Sequence, residues 1–247
     1  MTRVAAICRR ELATMFGGPV AWILAAVFVG MAGYFLYSEV QFFVLQSGGN
    51  LATGLWPYVF LDIRLVTFVV VPLLTMRLVA EERKLGTFEL LCSLPVRDAE
   101  LVAGKYLAAV VVYLAMLATT VVGPLVLWIV HPFAPAPLLA GYVGLILLGG
   151  AFLACGIAIS ATTENQVVAA MVTYGILIFL WFVSWNEAAL SVHLLTPLRG
   201  LSLFEHFHAF ARGVIDSRSV VYFLGFTAFF LFLATRILGM RAWRGLP

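Results

Sequence analysis

The residues best placed to do chemistry cluster in one stretch, MRLVAEERKLGTFELLCSLPVRDAELVAGK, running from Met76 to Lys105 between two strongly apolar segments. Its charges and sharp punctuation suit contact with another protein better than bond making. No G-x-x-x-x-G-K-[ST] phosphate loop occurs: Gly104-Lys105 is followed by Tyr106, and position 99 is alanine. The chain is therefore expected not to hydrolyse ATP itself, and to be no enzyme. Ser47-Gly48-Gly49-Asn50 reads as a plain turn.

Other reactive groups are sparse. Glu205, His206 and His208, with His193 upstream, form the best metal candidate. On a helix, positions two apart point about 200° apart, which argues against a shared ion; no metal or other cofactor is expected. Serines lack a Gly-x-Ser-x-Gly context. Asp62 and Arg64 fall inside an apolar run, where charges default to a functional reading; the alternative is that Arg64 snorkels to the interface and Asp62 bonds a neighbouring helix. Cys8, Cys92 and Cys155 are expected to remain unpaired.

The elements that must carry these groups are membrane spans. The chain is 63% hydrophobic and 11% charged, with a mean hydropathy of +1.06, far from the balance of soluble domains. A net charge of +3 gives no case for nucleic acid. Residues 1–18 read as an amphipathic helix along the membrane surface, with Val4, Cys8, Leu12 and Met15 on one face and Arg3, Arg9, Arg10 and Glu11 mostly elsewhere. Gly17-Gly18-Pro19 turns the chain into the bilayer, and with no A-x-A site after it this first span is expected to stay uncleaved.

The expected fold is an all-α membrane protein with six spans: 20–37, 56–79, 107–129, 138–160, 167–187 and 220–238. Glu39 and Gln41 are placed in the loop after the first span. Pro72 is expected to kink the second span and Gly123-Pro124 to bend the third. In the fourth, Gly150, Ala154 and Ala158 recur every fourth position and predict close helix packing. Ser202-Leu203-Phe204-Glu205 is a capping box, so a short helix dipping into the outer leaflet is expected from Leu203 to a stop at Gly213, with Phe204, Phe207 and Ala211 on one face. Eleven of the fifteen Lys and Arg fall in the N-terminal lead, the loop after span two and the tail. The positive-inside rule makes that side, and both termini, cytoplasmic. No second domain or solenoid repeat is apparent.

The loop at 81–97 then has a defined shape. Leu85-Gly86-Thr87 is a break followed by a cap, with Glu89 in the first turn of a short helix. Phe88, Leu91 and Cys92 form an apolar stripe, Pro95 ends the segment, and Asp98 caps the next helix. The corner is expected to expose Glu81, Glu82, Arg83, Lys84 and Glu89. A stiff helix between two spans can pass on the push of a docked partner; an amphipathic loop resting on headgroups fits the same pattern.

The run TMRLVAEERKLGTFELLCSLPV resembles the corresponding loop of ABC-2-type permeases, roughly M-R-x-x-x-E-E-[RK]-x-x-G-T-x-E-x-L-x-[ST]-x-P. Met76, Arg77, Glu81, Glu82, Arg83, Gly86, Thr87, Glu89, Leu91, Ser93 and Pro95 all match. The stretches ELATMFGGPVAWI, TENQVVAA and LFEHFHAFARGVIDSRSVVYF extend the likeness over essentially the whole chain, the last being similar to the gliding-motility-associated permease subgroup. The resemblance implies one ABC-2-type transmembrane domain over 1–247, the six-span subunit of a type V exporter in a bacterial inner membrane. It implies two permease copies, alike or related, working with two ATP-binding subunits that hold the ATP, among membrane lipids and with room for an accessory protein outside. It implies ATPase contact by Glu81, Glu82, Arg83, Gly86, Thr87 and Glu89. Cargo is not implied. From the residues alone, an ATP-independent scaffold or secondary carrier is the competing function, although a carrier would show matched halves and midplane charges.

Overall fold

A computed structural model describes residues 3–47, 51–86, 97–185 and 202–242. Among these residues the chain is helical throughout, because its apolar runs leave no way to satisfy the backbone in lipid except within each segment. Helix α1 is Arg3–Gly17 and α2 is Pro19–Phe42, continued by a π-helical turn at Phe43–Ser47. Then come α3 at Leu51–Thr75, α4 at Ala80–Lys84, α5 at Asp98–Thr120, α6 at Val122–Val130 and α7 at Pro135–Ser160. Helix α8 is Gln166–Trp185, α9 is Leu203–Ala211 and α10 is Ser217–Ala242. Five helical stretches are long and apolar enough to cross a membrane: Pro19–Leu45, Gly54–Lys84, Asp98–Val130, Pro135–Ser160 and Ser217–Met240. Gln166–Trp181 is apolar but shorter.

Local chemistry explains the breaks. Gly18 is extended (φ −99°, ψ 154°) and Pro19 starts α2, where a missing N–H costs nothing. The first span is longer than the sequence reading allowed, so Glu39 and Gln41 lie on helix α2 rather than in a loop. Pro72 does not end α3, which runs on to Thr75. The break in the third apolar run falls at Val121, just before the expected Gly123-Pro124, because the Pro124 ring collides with the carbonyl four residues earlier. Arg97, not Asp98, precedes α5 as its cap; its N–H donates to Glu100 Oε2 at 3.0 Å.

Helix α7 is the centre of the bundle, packed against α3, α5, α8, α9 and α10. Gly150, Ala154 and Ala158 are all buried in it. The tightest approaches run along other glycines, however. A Cβ at Gly141 would lie 2.1 Å from the Phe60 ring, one at Gly149 2.2 Å from the Tyr113 ring, and one at Gly156 2.0 Å from Thr75 Oγ1. Tyr113 donates to the Leu145 carbonyl at 2.9 Å, stitching α5 to α7. Gly149→Ala is expected to cost about 1–3 kcal/mol, the usual penalty of overpacking a filled core, read as a lowered melting temperature of the purified protein.

The short helix at 203–211 forms as its capping box predicts: Ser202 Oγ accepts from Glu205 N–H at 3.4 Å. Its apolar face is turned inward rather than to lipid, with Leu203, Phe204, Phe207, Phe210 and Ala211 buried against α3, α7 and α8. Gly213 (φ +85°) ends it beside Pro137, in a conformation that L side chains disfavour. Arg64 does not snorkel. Its guanidinium lies over the rings of Phe204 at 4.9 Å and Trp181 at 5.4 Å, joining α3 to α8 and α9. Arg64→Met should therefore cost about 0.5–2 kcal/mol of thermal stability, with trypsin cutting first near the 203–211 helix.

Candidate functional site

At the end of the bundle where α3 stops, the chain turns through residues 76–79 into α4, and this corner carries the 81–97 loop. The first N–H groups of a helix have no acceptor of their own. Here a residue from far along the chain supplies it: Ser160 Oγ, at the last position of α7, accepts from Val79 N–H at 3.2 Å and Ala80 N–H at 3.0 Å. The same hydroxyl donates to the Met76 carbonyl at 3.1 Å. One buried serine thus pins both arms of the turn to the central helix.

A second clamp sits behind it. Lys105, on α5, has a side chain only 1% exposed. Its ammonium is 3.0 Å from Glu11 Oε1, 2.8 Å from Glu82 Oε2 and 2.8 Å from the Leu78 carbonyl. An ammonium has three N–H donors, and three acceptors surround this one. The acceptors come from α1, from α4 and from the turn, so one cation ties the N-terminal helix, the corner and the third apolar helix together. Helix α1 lies close enough because Gly104 precedes the lysine; a Cβ there would be 2.6 Å from Ile7 Cγ2.

The outer surface of the corner is held more lightly. Arg77 grips Glu81 with two parallel bonds, Nε to Oε2 at 2.8 Å and Nη2 to Oε1 at 3.0 Å. Lys84, Leu85 and Gly86 are exposed. Gly86 takes φ +70° and donates its N–H to the Arg83 carbonyl at 3.1 Å, a left-handed stop just beyond α4. Gly86→Ala should cost about 1–2 kcal/mol for its left-handed Cβ, and misdirect the loop. A lowered melting temperature of the purified protein would register it.

Against the expected site, the corner is more buried than its charge suggested. Of Glu81, Glu82, Arg83 and Lys84, only Lys84 is freely exposed; Arg83 is 8% exposed and Glu82 is turned to Lys105. Glu11 was placed off the apolar face of the N-terminal helix, yet it is the residue that α1 buries. Thr87 and Glu89, with Phe88, Leu91, Cys92 and Pro95, lie outside the described residues. Cys8 and Cys155 are free thiols. His206 stacks on Tyr222 at 4.2 Å and its Nδ1 lies 3.0 Å from Ser219 Oγ, while His208 is exposed, so the two do not converge; His193 lies outside the described residues.

Lys105, Glu11 and Ser160 escaped the sequence reading, although a signal was present. Leu101, Lys105, Ala108 and Val112 share one stripe of α5, and Val4, Cys8, Glu11 and Met15 one stripe of α1. Two lone charges of opposite sign, each on an otherwise apolar stripe, are what a buried ion pair looks like in sequence.

Comparison with known proteins bears on this arrangement. No curated protein matches the chain. A family model described as ABC-2 family transporter protein matches residues 5–238, which takes in the clamped corner and all but the outer ends of α1 and α10. The chain belongs to the ABC-2 family of transporter proteins.

Proposed function

We propose that this chain is the permease subunit of an ATP-driven exporter, gripped at the corner below α3 by a separate ATP-binding subunit. The observation that carries the reading is the double clamp: Ser160 and Lys105 fasten the base of the 81–97 loop to α7, α5 and α1. A push on that loop is then delivered to several membrane helices at once instead of being absorbed by a slack hinge. Contact falls to Lys84, Gly86 and the loop beyond, including Thr87 and Glu89, with Glu81 at the rim. Glu82 and Arg83 act as positioning residues that hold the base.

In this account Gln166–Trp185 is the fifth of six spans within one transmembrane domain, and both termini face the cytoplasm of a bacterial inner membrane, by the charge bias of the loops. Residues 3–17 lie along the inner surface. Two copies, alike or related, face each other, and cargo passes between them along apolar faces of the first, second and fifth spans. Residues 203–223 favour the gliding-motility-associated subgroup, a label that names no cargo.

Purification from native membranes in mild detergent tests the reading. An ATP-binding subunit should accompany the chain in stoichiometric amount. Its reproducible absence would favour an ATP-independent scaffold or carrier.

A further inference from the structure

Beside the clamp a cleft of about 530 Å³ opens between the start of α2 and the end of α3, within the range of roughly 300–1,000 Å³ common for ligand sites. Its floor is apolar: Val20 and Leu24 come from the first turns of α2, and Leu73 and Leu74 from the last turn of α3. These two helices are among those able to cross a membrane, so the cleft lies at the membrane–water boundary with its floor leading inward. Its rim is polar and carries both signs, with Arg10, Arg77 and Glu81 around the mouth.

The charges select among lipids. Glu11 and Glu82 also line the cleft, but both are engaged with Lys105 behind it. Counting Lys105, three cations face three carboxylates, so the site as a whole is neutral. Arg10 is exposed and makes no ion pair within 4 Å among the described residues; its charge reaches Glu82 across the cleft, but its N–H donors remain for a phosphate. Glu81 keeps lone pairs beyond its two bonds to Arg77 and can accept from an ammonium. An anionic headgroup such as phosphatidylglycerol gains from Arg10 but meets Glu81. A quaternary ammonium such as that of phosphatidylcholine has no N–H to donate and is recognised best by an aromatic cage, and no aromatic residue lines the cleft among the described residues.

We propose that the cleft holds one phosphatidylethanolamine, its phosphate on Arg10, its primary ammonium on Glu81 and the start of one acyl chain along Leu24, Leu73 and Leu74. The lipid fills the gap between the amphipathic helix and the corner, on the side the Lys105 clamp leaves open.

Native mass spectrometry tests this on the protein as purified from membranes, exchanged into nanodiscs of equal phosphatidylethanolamine, phosphatidylglycerol and phosphatidylcholine. Phosphatidylethanolamine should be retained at one per chain, in about tenfold preference to each of the others, the weight of one charge-assisted hydrogen bond. Arg10→Gln and Glu81→Gln, both rim changes with little folding risk, should each abolish the preference. Arg9→Gln, which removes the same charge from an exposed position of α1 outside the cleft, should leave it intact. Equal retention of the three lipids would overturn the proposal. So would a preference for phosphatidylglycerol, or one that survives Arg10→Gln and Glu81→Gln.

Discussion

Lys105→Met should be the most damaging single change in the molecule. It leaves Glu11 and Glu82, whose side chains are 8% and 16% exposed, as neighbouring carboxylates with their shared cation gone. Breaking a buried ion pair by removing one partner costs about 3–5 kcal/mol, because the surviving charge stays desolvated. Here two charges survive and also repel each other. A steep fall in the thermal midpoint of the purified protein, with loss of folded material from the membrane, is the expected result. The variant Glu11→Gln/Glu82→Gln/Lys105→Met separates stability from coupling. With all three charges neutralised most of the stability should return, since replacing a whole buried network is often close to neutral. Under the proposed function transport should stay depressed, because α1 and the corner are no longer tied to α5. Full recovery of both would reduce the clamp to a folding device.

Ser160→Ala comes next. Its hydroxyl is the acceptor for two buried N–H groups at the start of α4 and donates to the Met76 carbonyl. Each group left without a partner costs about 1–3 kcal/mol. The loss is local to the corner, so amide exchange of Val79 and Ala80 should quicken far more than exchange in the middle of α7. Ser160→Thr keeps the hydroxyl and should retain most of the protection if its methyl group fits. Uniform exchange across the bundle in Ser160→Ala would mean that the corner is not a separately held unit.

What the sequence made legible was set by period and punctuation. Five of the apolar runs, the turn at Gly17-Gly18-Pro19, the cap at Ser202 and the break at Gly86 each depend on a few adjacent residues and were found close to where their local chemistry put them. The clamps depend on partners on different elements, as far as 80 residues apart for Ala80 with Ser160 and 94 for Glu11 with Lys105, and no local rule pairs them. Charge also misled. Glu82 and Arg83 read as exposed because ionised groups are costly to bury, and that cost is offset for Glu82 by a lysine on α5. Small residues told part of the packing. The four-residue spacing of Gly150, Ala154 and Ala158, all buried in α7, was the visible pattern; Gly141, Gly149 and Gly156 add close contacts to Phe60, Tyr113 and Thr75 that no spacing rule announces.

The central claim is that the corner ending at Gly86 is where an energy-supplying subunit takes hold. A photo-crosslinking residue at Lys84, the exposed charge of α4, tests it in intact membranes. The account requires a crosslink to an ATP-binding protein that changes in yield when ATP is added. Crosslinks to lipid alone, or labelling of that position by a reagent confined to the outside of the cell, would contradict it.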